Sequence, residues 1–305
     1  MLSSLELAAG AARVTLLPDL GGAIGAFTFD YTPVLRPTPA AALAERNVRL
    51  AACYPLVPYS NRIRAARLAF GGATHVLARN FGDHPHALHG VGWQRAWDVV
   101  AASATRATLT FEHAARGDDA AAWPWPFRAT QVFDLCAPAA GHALLIATLT
   151  LVNTGPAPFP FGLGWHPFFP RDATTTLAFG ADEVWVNDAT ALPIERVPAI
   201  GTWSFAVPRA FGAATIDNVF CGWNGNATLA SMQRGIVTTI AADSACSRLV
   251  VFAPADRDFV AVEPVTHETD AFNRGAAGES ATGMRVLPPR GGFSCTMRIG
   301  VAPRA

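Results

Sequence analysis

The sequence predicts an antiparallel all-β protein, either a large sandwich or a barrel. Short runs of aliphatic, β-branched and aromatic residues recur along the 305 residues, and several alternate apolar with polar side chains. That alternation is the period of a half-buried strand. The 26 glycines and 23 prolines, with clusters of Asn and Asp, supply turn signals between the runs. Amphipathic helical patterns are scarce, so sheets joined by turns are the expected architecture.

The clearest strand patterns are spread over the whole chain. We predict strands at 12–17, 106–111, 128–135, 143–153 and 236–240. The best helical candidate is 40–49, and the Ala-rich stretches 114–122 and 137–143 are predicted to be loops. No internal repeat or low-complexity linker interrupts the pattern, so a single domain is expected.

Composition excludes several classes of function. Apolar residues make up 51% of the chain, charged residues 15%, and the formal net charge is zero, so neither nucleic acid nor an anionic membrane is an expected partner. Every basic side chain other than His is Arg, which rules out a Lys Schiff base and a P-loop Lys. The five scattered cysteines indicate reduced, buried thiols. With neither a signal peptide nor a membrane-spanning segment recognisable, a cytoplasmic location is expected.

Glu263 carries the sharpest chemical signal. It ends a run, 258–263, whose Phe, Val and Ala residues are typical of a buried strand, and Pro264 is expected to end that strand. A charge in such surroundings must be offset by pairing or hydrogen bonds, or its pKa rises. A carboxylate at the edge of an apolar sheet is therefore a candidate general base. The alternative is a surface Glu at a strand end.

His166 is the candidate general acid. It follows Trp165 within a segment, 161–170, that also contains several Phe and Pro residues. Such an apolar enclosure lowers the pKa of a histidine and brings its charge change near neutral pH. The alternative is a core histidine bonded to the backbone.

Three histidines within six residues, His84, His86 and His89, raise the question of a metal site. No acid or Cys lies at a familiar ligand spacing from them, and a proline separates the first two, so we predict no metal.

Four other positions are candidates for binding a small molecule. Asn61 and Arg62 follow an aromatic, Pro-rich run, and Arg presents a planar fork of donors suited to sugar hydroxyls or carboxylates. His89 could donate to a ligand oxygen while Gly90 allows close approach. Asp217 stands between β-branched and aromatic residues. The alternatives are a structural ion pair for Arg62 and an Asx turn for Asp217.

Tryptophan rings near these positions could form the walls of a sugar site. Trp93 and Trp97 follow His89 closely in the chain. Their flat apolar faces are the kind of surface on which sugar C–H groups stack.

Taken together and in this order, these segments resemble the aldose 1-epimerase (mutarotase) family. The similarity covers nearly the whole chain and is closest to bacterial mutarotase-like members, many without an assigned sugar. The matching segments are PYSNRI (58–63), LHGVGWQRAW (88–97), GLGWHPFF (162–169), IDNVFCGW (216–223) and VEPVTHETDAFN (262–273).

The resemblance implies a large antiparallel β-supersandwich, one domain over 1–305, that interconverts the α and β anomers of a free aldose without a cofactor. It implies Glu263 as the catalytic base and His166 as the catalytic acid. The partner is then a monosaccharide, bound by residues of the same motifs: Arg62, His89, Asp217, Asn61 and Trp165.

Two other functions remain open at this point. One is a non-catalytic or differently specific sugar-binding protein. The other is a glycoside hydrolase that uses Asp217 and Glu263 as its carboxylate pair. A phosphorylated hexose is a possible substrate because Arg64 and Arg67 follow Arg62 closely. The sequence indicates neither the particular sugar nor the oligomeric state.

Overall fold

Strands dominate the computed structural model, which describes residues 2–212 and 215–304. The strands of the amino-terminal half are β1 (Leu5–Ala9), β2 (Ala12–Leu17), β3 (Ala23–Phe29), β4 (Thr32–Pro33), β5 (Cys53–Leu56), β6 (Arg62–Ile63), β7 (Arg67–Phe70), β8 (Ala73–Val76), β9 (Ala87–Leu88), β10 (Asp98–Ala102), β11 (Arg106–His113), β12 (Phe127–Cys136) and β13 (Ala143–Asn153).

The strands of the carboxy-terminal half are β14 (Phe159–Phe161), β15 (Gly164–Pro170), β16 (Thr176–Phe179), β17 (Glu183–Asn187), β18 (Pro193–Pro198), β19 (Arg209–Ala210), β20 (Ile216–Cys221), β21 (Asn226–Ser231), β22 (Ile236–Ala242), β23 (Arg248–Ala253), β24 (Phe259–Val265), β25 (Arg285–Leu287) and β26 (Gly292–Pro303). The helices are short: α1 (Ala40–Ala44), α2 (Asp118–Ala122), α3 (Ala271–Ala276) and the 3₁₀ turns Val48–Leu50, Arg64–Ala66, Gly92–Gln94 and Gly201–Trp203.

Two large antiparallel sheets make up the single domain. The first has the order β1-β2-β3-β5-β15-β24-β23-β20-β17-β18, with β4 beside β3, and the second has the order β10-β11-β12-β13-β26-β22-β21-β16-β19. Small two-stranded sheets, β14 with β25, β6 with β9 and β7 with β8, lie outside them. The predicted antiparallel all-β fold is confirmed, and all five predicted strands are present.

The alternation of side chains decides which face of the first sheet each residue occupies. On β23, Leu249 and Val251 join the main core shared with the second sheet, while Val250 joins a separate apolar cluster. The same parity on β24 sends Val262 into the main core and Ala261 into the second cluster. Because side chains alternate along a strand, Glu263 shares the face of Ala261, away from the second sheet.

The first sheet is interrupted between β15 and β24. Their register pairs Gly164 with Val265, skips three residues on each strand, and resumes at Phe168 and Ala261. Pro167 and Pro264 both fall in this gap, and neither has an N–H to donate to a ladder. The predicted strand end at Pro264 is off by one residue: β24 ends at Val265, because on its other side Pro264 stays in register with Leu249.

Two predictions of local structure are also corrected. The predicted helix at 40–49 is split into α1 and the 3₁₀ turn Val48–Leu50, because Arg46 between them has a φ of 54°, outside the helical region. The predicted loop at 114–122 contains α2 (Asp118–Ala122), whose first turn carries two Asp residues. Negative charge at that end favours a helix.

The cysteines are free thiols; Cys136 is exposed, and the other four are buried. Across residues 2–212 and 215–304, no helix combines the length and the apolar character needed to cross a bilayer.

Candidate functional site

A cavity of about 390 Å³ opens on the face of the first sheet that carries Glu263. A pocket of this size is enough for a small organic molecule. Its walls combine polar and aromatic side chains from distant parts of the chain. Among them are Glu263, His166, His89, Asn61, Arg62, Asp217, Tyr54 and Phe168.

Glu263 and His166 meet at the interruption between β15 and β24. Glu263 Oε1 lies 3.2 Å from His166 Nε2, and both side chains are buried. His166 faces the cavity with Phe168, whose ring stacks on the imidazole at a centroid distance of 4.4 Å. The missing ladder hydrogen bonds thus leave room for an acid and a base to face each other inside the sheet.

Burial moves the pKa values of this pair in opposite directions. It raises the pKa of Glu263 well above its usual value, reinforced by Asp217 and opposed by Arg62. It lowers the pKa of His166 well below its usual value, reinforced by His89 and Arg36. Between these two pKa values the pair holds one proton and carries no net charge. Such a pair can exchange protons with a ligand at two different atoms.

His89 is held as a neutral hydrogen-bond donor. The Asn61 backbone N–H donates to His89 Nδ1 at 3.1 Å, and the His89 backbone N–H donates to the Asn61 carbonyl at 2.9 Å. Because Nδ1 accepts a hydrogen bond, the ring proton resides on Nε2. Burial, together with Arg62 and His84, lowers the pKa of His89 to about 3. The imidazole therefore remains uncharged over the physiological range.

Arg62 links the two sides of the cavity. Its Nη2 donates to Asp217 Oδ2 at 3.0 Å, and its Nη1 donates to Asn61 Oδ1 at 3.1 Å. Asp217 lies on β20, and Asn187 Nδ2 on the neighbouring β17 donates to its backbone carbonyl at 2.5 Å. The structural ion pair foreseen for Arg62 is present, and it stands within the cavity wall, so the two interpretations of Arg62 are compatible.

The aromatic walls differ from those predicted. The cavity is lined by Tyr54, Phe81, Phe168, Phe252 and Phe259. Trp165, predicted to contact substrate, lies instead in the main core. It occupies the opposite face of β15 from His166, because adjacent residues of a strand point to opposite faces.

Trp93 and Trp97 are likewise internal and do not face the cavity. Trp93 packs on Tyr54 at 5.5 Å and donates to the Gly90 carbonyl, and Trp97 donates to the Gly92 carbonyl. Gly90 is explained by packing: with a φ of 72°, it abuts the Val57 backbone, where a Cβ would lie 2.2 Å from the carbonyl oxygen.

The three histidines of the 84–89 segment have different surroundings. The His84 and His86 rings lie 5.2 Å apart, and His84 lines the cavity together with His89. His86 Nδ1 accepts from the Ala65 N–H, and His84 Nδ1 accepts from the His86 N–H. Among the described residues, no group of three or more His, Cys, Asp or Glu side chains is placed to hold a metal ion.

Arg64 and Arg67, considered earlier for a phosphate, line a separate surface groove, where Arg64 pairs with Asp270 at 3.3 Å. The arginines that do line the cavity besides Arg62 are Arg36, Arg49 and Arg257. Sequence analysis missed them because each stands apart from any recognisable motif. Tyr54 belongs to the aromatic, Pro-rich run that precedes Asn61, and that position was its one available signal.

Known structures share this architecture across the whole chain. A putative aldose 1-epimerase from Escherichia coli K12 superposes with a TM-score of 0.87 at 27% identity, covering 99% of this chain and all of the other. Galactose 1-epimerase from Lactobacillus acidophilus superposes with a TM-score of 0.79 at 18% identity, covering 100% of this chain and 95% of the other. At that lower identity the likeness shows the fold alone.

The sequence comparisons are also extensive. The chain is 32% identical over 271 residues to the uncharacterized protein YphB of Escherichia coli K12, which covers 86% of this chain and 87% of the relative. The family model described as aldose 1-epimerase matches residues 3–294. Because that match covers nearly the whole chain, including every residue that lines the cavity, the chain belongs to the aldose 1-epimerase family.

Proposed function

We propose that this protein is a cofactor-independent mutarotase that interconverts the α and β anomers of a free aldose. The observation that carries the proposal is the buried contact between Glu263 Oε1 and His166 Nε2, 3.2 Å apart at the cavity wall. Ring opening needs a base at the C1 hydroxyl and an acid at the ring oxygen at the same time, and this pair supplies both.

The pair has two forms of equal net charge, and each suits one half of the reaction. With the proton on His166, Glu263 is an anion that can accept the C1 hydroxyl proton while the imidazolium protonates the ring oxygen. The C1–O5 bond breaks, leaving Glu263 protonated and His166 neutral. After rotation about C1–C2, Glu263 returns its proton to the carbonyl oxygen as the C5 hydroxyl attacks C1 and gives its proton to His166.

Opening and closure therefore reset the pair without a proton from solvent. Burial favours the uncharged form in the empty site, which corresponds to the state that follows ring opening. A substrate hydroxyl and ring oxygen in hydrogen-bond contact with the pair would favour the charged form, because hydrogen bonds to ionised groups offset part of the desolvation cost. None of these steps calls for a metal ion, a nucleotide or a covalent intermediate.

The surrounding residues have supporting roles in this proposal. The neutral His89 presents its Nε2–H to a sugar oxygen near the reacting centre, and Arg62 and Asp217 bind ring hydroxyls as a paired donor and acceptor. Asn61 orients both His89 and Arg62 through the two hydrogen bonds described above. Tyr54 and the edge of Phe168 add apolar surface to the cavity wall for contact with sugar C–H groups.

The test is to follow the decay of optical rotation of freshly dissolved α-D-glucose and α-D-galactose, and anomer exchange at equilibrium by NMR. We expect acceleration proportional to enzyme concentration. Sugar binding without exchange would contradict the mutarotase proposal in favour of a binding protein. Release of nitrophenol from nitrophenyl glycosides would instead favour a hydrolase that pairs Asp217 with Glu263.

A further inference from the structure

The cavity carries positive charge that the anomerisation chemistry does not use. Arg36, Arg49 and Arg257 all line it, in addition to Arg62. Among the described residues, neither Arg36 nor Arg49 has a carboxylate within ion-pair distance, and Arg257 pairs with the exposed, adjacent Asp256 at 3.5 Å. An exposed pair of that kind contributes little. Asp258, the other acid of this loop, lines a different surface groove. Burial lowers the pKa of Arg36, and Tyr54 and Asp258 partly offset this effect, so Asp258 lies within electrostatic reach of Arg36 although the two form no ion pair.

Arg36 is fixed in place by its surroundings. Its guanidinium carbon lies 4.0 Å from the ring centroid of Phe168 and 4.6 Å from that of Phe259. Its Nη2 donates to the Ala51 carbonyl at 3.1 Å. Contact with two aromatic faces and one backbone carbonyl holds the planar fork rigidly, so little side-chain entropy remains to be lost when a ligand binds.

Phe168 separates this arginine from the acid–base pair. The His166 ring stacks on Phe168 at 4.4 Å, and the Arg36 guanidinium lies over the same ring at 4.0 Å. Two groups at such distances cannot share one face of a ring, so they lie on opposite faces. A ligand whose reacting atom contacts His166 would therefore meet Arg36 at a position one aromatic ring away.

Arg49 lies beside Arg36 at this end of the cavity. The Arg49 carbonyl is 3.5 Å from Arg36 Nη2, and the Arg49 guanidinium lies 4.1 Å from the Phe81 ring. Both arginines lie within electrostatic reach of the Tyr54 hydroxyl. Two guanidinium groups near one point, with their remaining donors unpaired, form a site for an anion with several oxygens.

We infer that the substrate is an aldose bearing an anionic, oxygen-rich group, a phosphate or a carboxylate, on the exocyclic carbon remote from C1. This inference rests on the proposed mutarotase function, because that function places C1 at Glu263 and His166. Arg36 and Arg49 then bind the anionic group, and Arg257 adds positive charge at the cavity mouth. The arginines that suggested a phosphate from sequence, Arg64 and Arg67, have no part in it.

The first experiment compares turnover of glucose, glucose 6-phosphate and glucuronate by NMR anomer exchange, corrected for the rate without enzyme. We expect kcat/KM at least tenfold higher for one of the two anionic sugars, and the better one identifies the group. The double variant Arg49→Gln/Arg257→Gln should lower that value by roughly tenfold to a hundredfold, as expected for charge-assisted hydrogen bonds. Its value for glucose should fall by a smaller factor, so the preference for the anionic sugar over glucose should decrease.

Arg67→Gln/Arg116→Gln is the matched control, since it removes the same two charges from exposed positions outside the cavity. It should leave all three sugars unaffected. Equal or higher kcat/KM for glucose in the unmodified protein would overturn the inference while supporting the mutarotase function. So would an equal loss for neutral and anionic sugars in the double variant.

The second experiment separates binding from turnover. 1,5-Anhydroglucitol and its 6-phosphate lack an anomeric hydroxyl, so calorimetry with them reports affinity alone. We expect the phosphate ester to bind at least tenfold more tightly, with the difference shrinking in the double variant and at high salt. If no sugar is turned over but this difference persists, the mutarotase proposal fails and the anion site stands. Equal affinities for 1,5-anhydroglucitol and its 6-phosphate would contradict the proposed anion site.

Discussion

Two buried glutamates five residues apart, Glu263 and Glu268, show how differently one fold can treat the same side chain. Glu268 accepts from Trp185 Nε1 at 2.8 Å and contacts Arg274 at 3.0 Å and Arg248 at 3.5 Å. Among the described residues, Glu263 has one ionisable partner within ion-pair distance, His166, and that side chain is also buried. The first charge is matched inside the protein. Within the described part of the chain, the charge of Glu263 has no matching cation, so a bound ligand would have to stabilise it. Ionisable groups with this property are common at functional sites.

The largest expected effect concerns activity. Replacing Glu263 with Gln keeps the shape but removes the proton acceptor, so we expect kcat for anomer exchange to fall by roughly 10²- to 10⁴-fold, the usual contribution of a general base. Glu268→Gln should retain kcat per folded molecule. The measurement is NMR anomer exchange, with the amount of folded protein determined by circular dichroism. Equal losses of kcat in the two variants would contradict a specific catalytic role for Glu263.

The next effect concerns stability and reverses the order of the two sites. Glu268→Gln leaves Arg248 and Arg274 without their buried counter-charge, so we expect the free energy of unfolding to drop by about 3–5 kcal/mol in urea titrations. Glu279→Gln is the control, because Glu279 pairs with the same Arg274 at a more exposed position. It should cost less than about 1 kcal/mol. A Glu268→Gln loss no larger than the control's would show that burial of this pair adds nothing.

The contrast also explains what sequence could and could not supply. Strand patterns such as 143–153 and the apolar residues around Glu263 and His166 depend on neighbours in the chain, so the all-β fold and the burial of these two side chains could be predicted. Trp165 was misplaced although the strand period, applied from His166, puts it on the other face. Arg36 gave no signal, because its role depends on Phe168 and Phe259, which meet it only in the folded protein.

At Pro264, the tertiary structure modifies the expectation that a proline ends a strand. A proline lacks the donor for a ladder, which argued for a strand end. In the fold, the neighbouring strand contributes Pro167 to the same interruption, so no ladder is required there. Pro264 thus lies in the interruption between β15 and β24, where the side chains of His166 and Glu263 come into contact.

The smallest expected effect concerns the free energy of unfolding and its dependence on pH, which measures how much the burial of Glu263 without a matching cation destabilises the protein. Its folded-state pKa is raised by burial, so the folded protein binds this proton more tightly than the unfolded chain does. The resulting stability is present below the unfolded pKa, about 4.3 for a Glu, and is lost as pH rises toward the folded value. Each pH unit within that window costs about 1.4 kcal/mol. Glu263→Gln has no such group to ionise and escapes the loss.

We therefore expect the stability of Glu263→Gln, relative to the unmodified protein, to increase as pH rises above about 4.3 and to level off once the folded pKa of Glu263 is passed. Urea titrations of both proteins from pH 5 upward measure this difference, and because His166 is present in both proteins, its titration in the unfolded chain cancels. A difference that is constant with pH would mean that Glu263 is ionised in the folded protein over this whole range. In that case His166 or Arg62 stabilises its charge in the empty site, and the ion pair, not the uncharged form, would be the resting state from which ring opening begins.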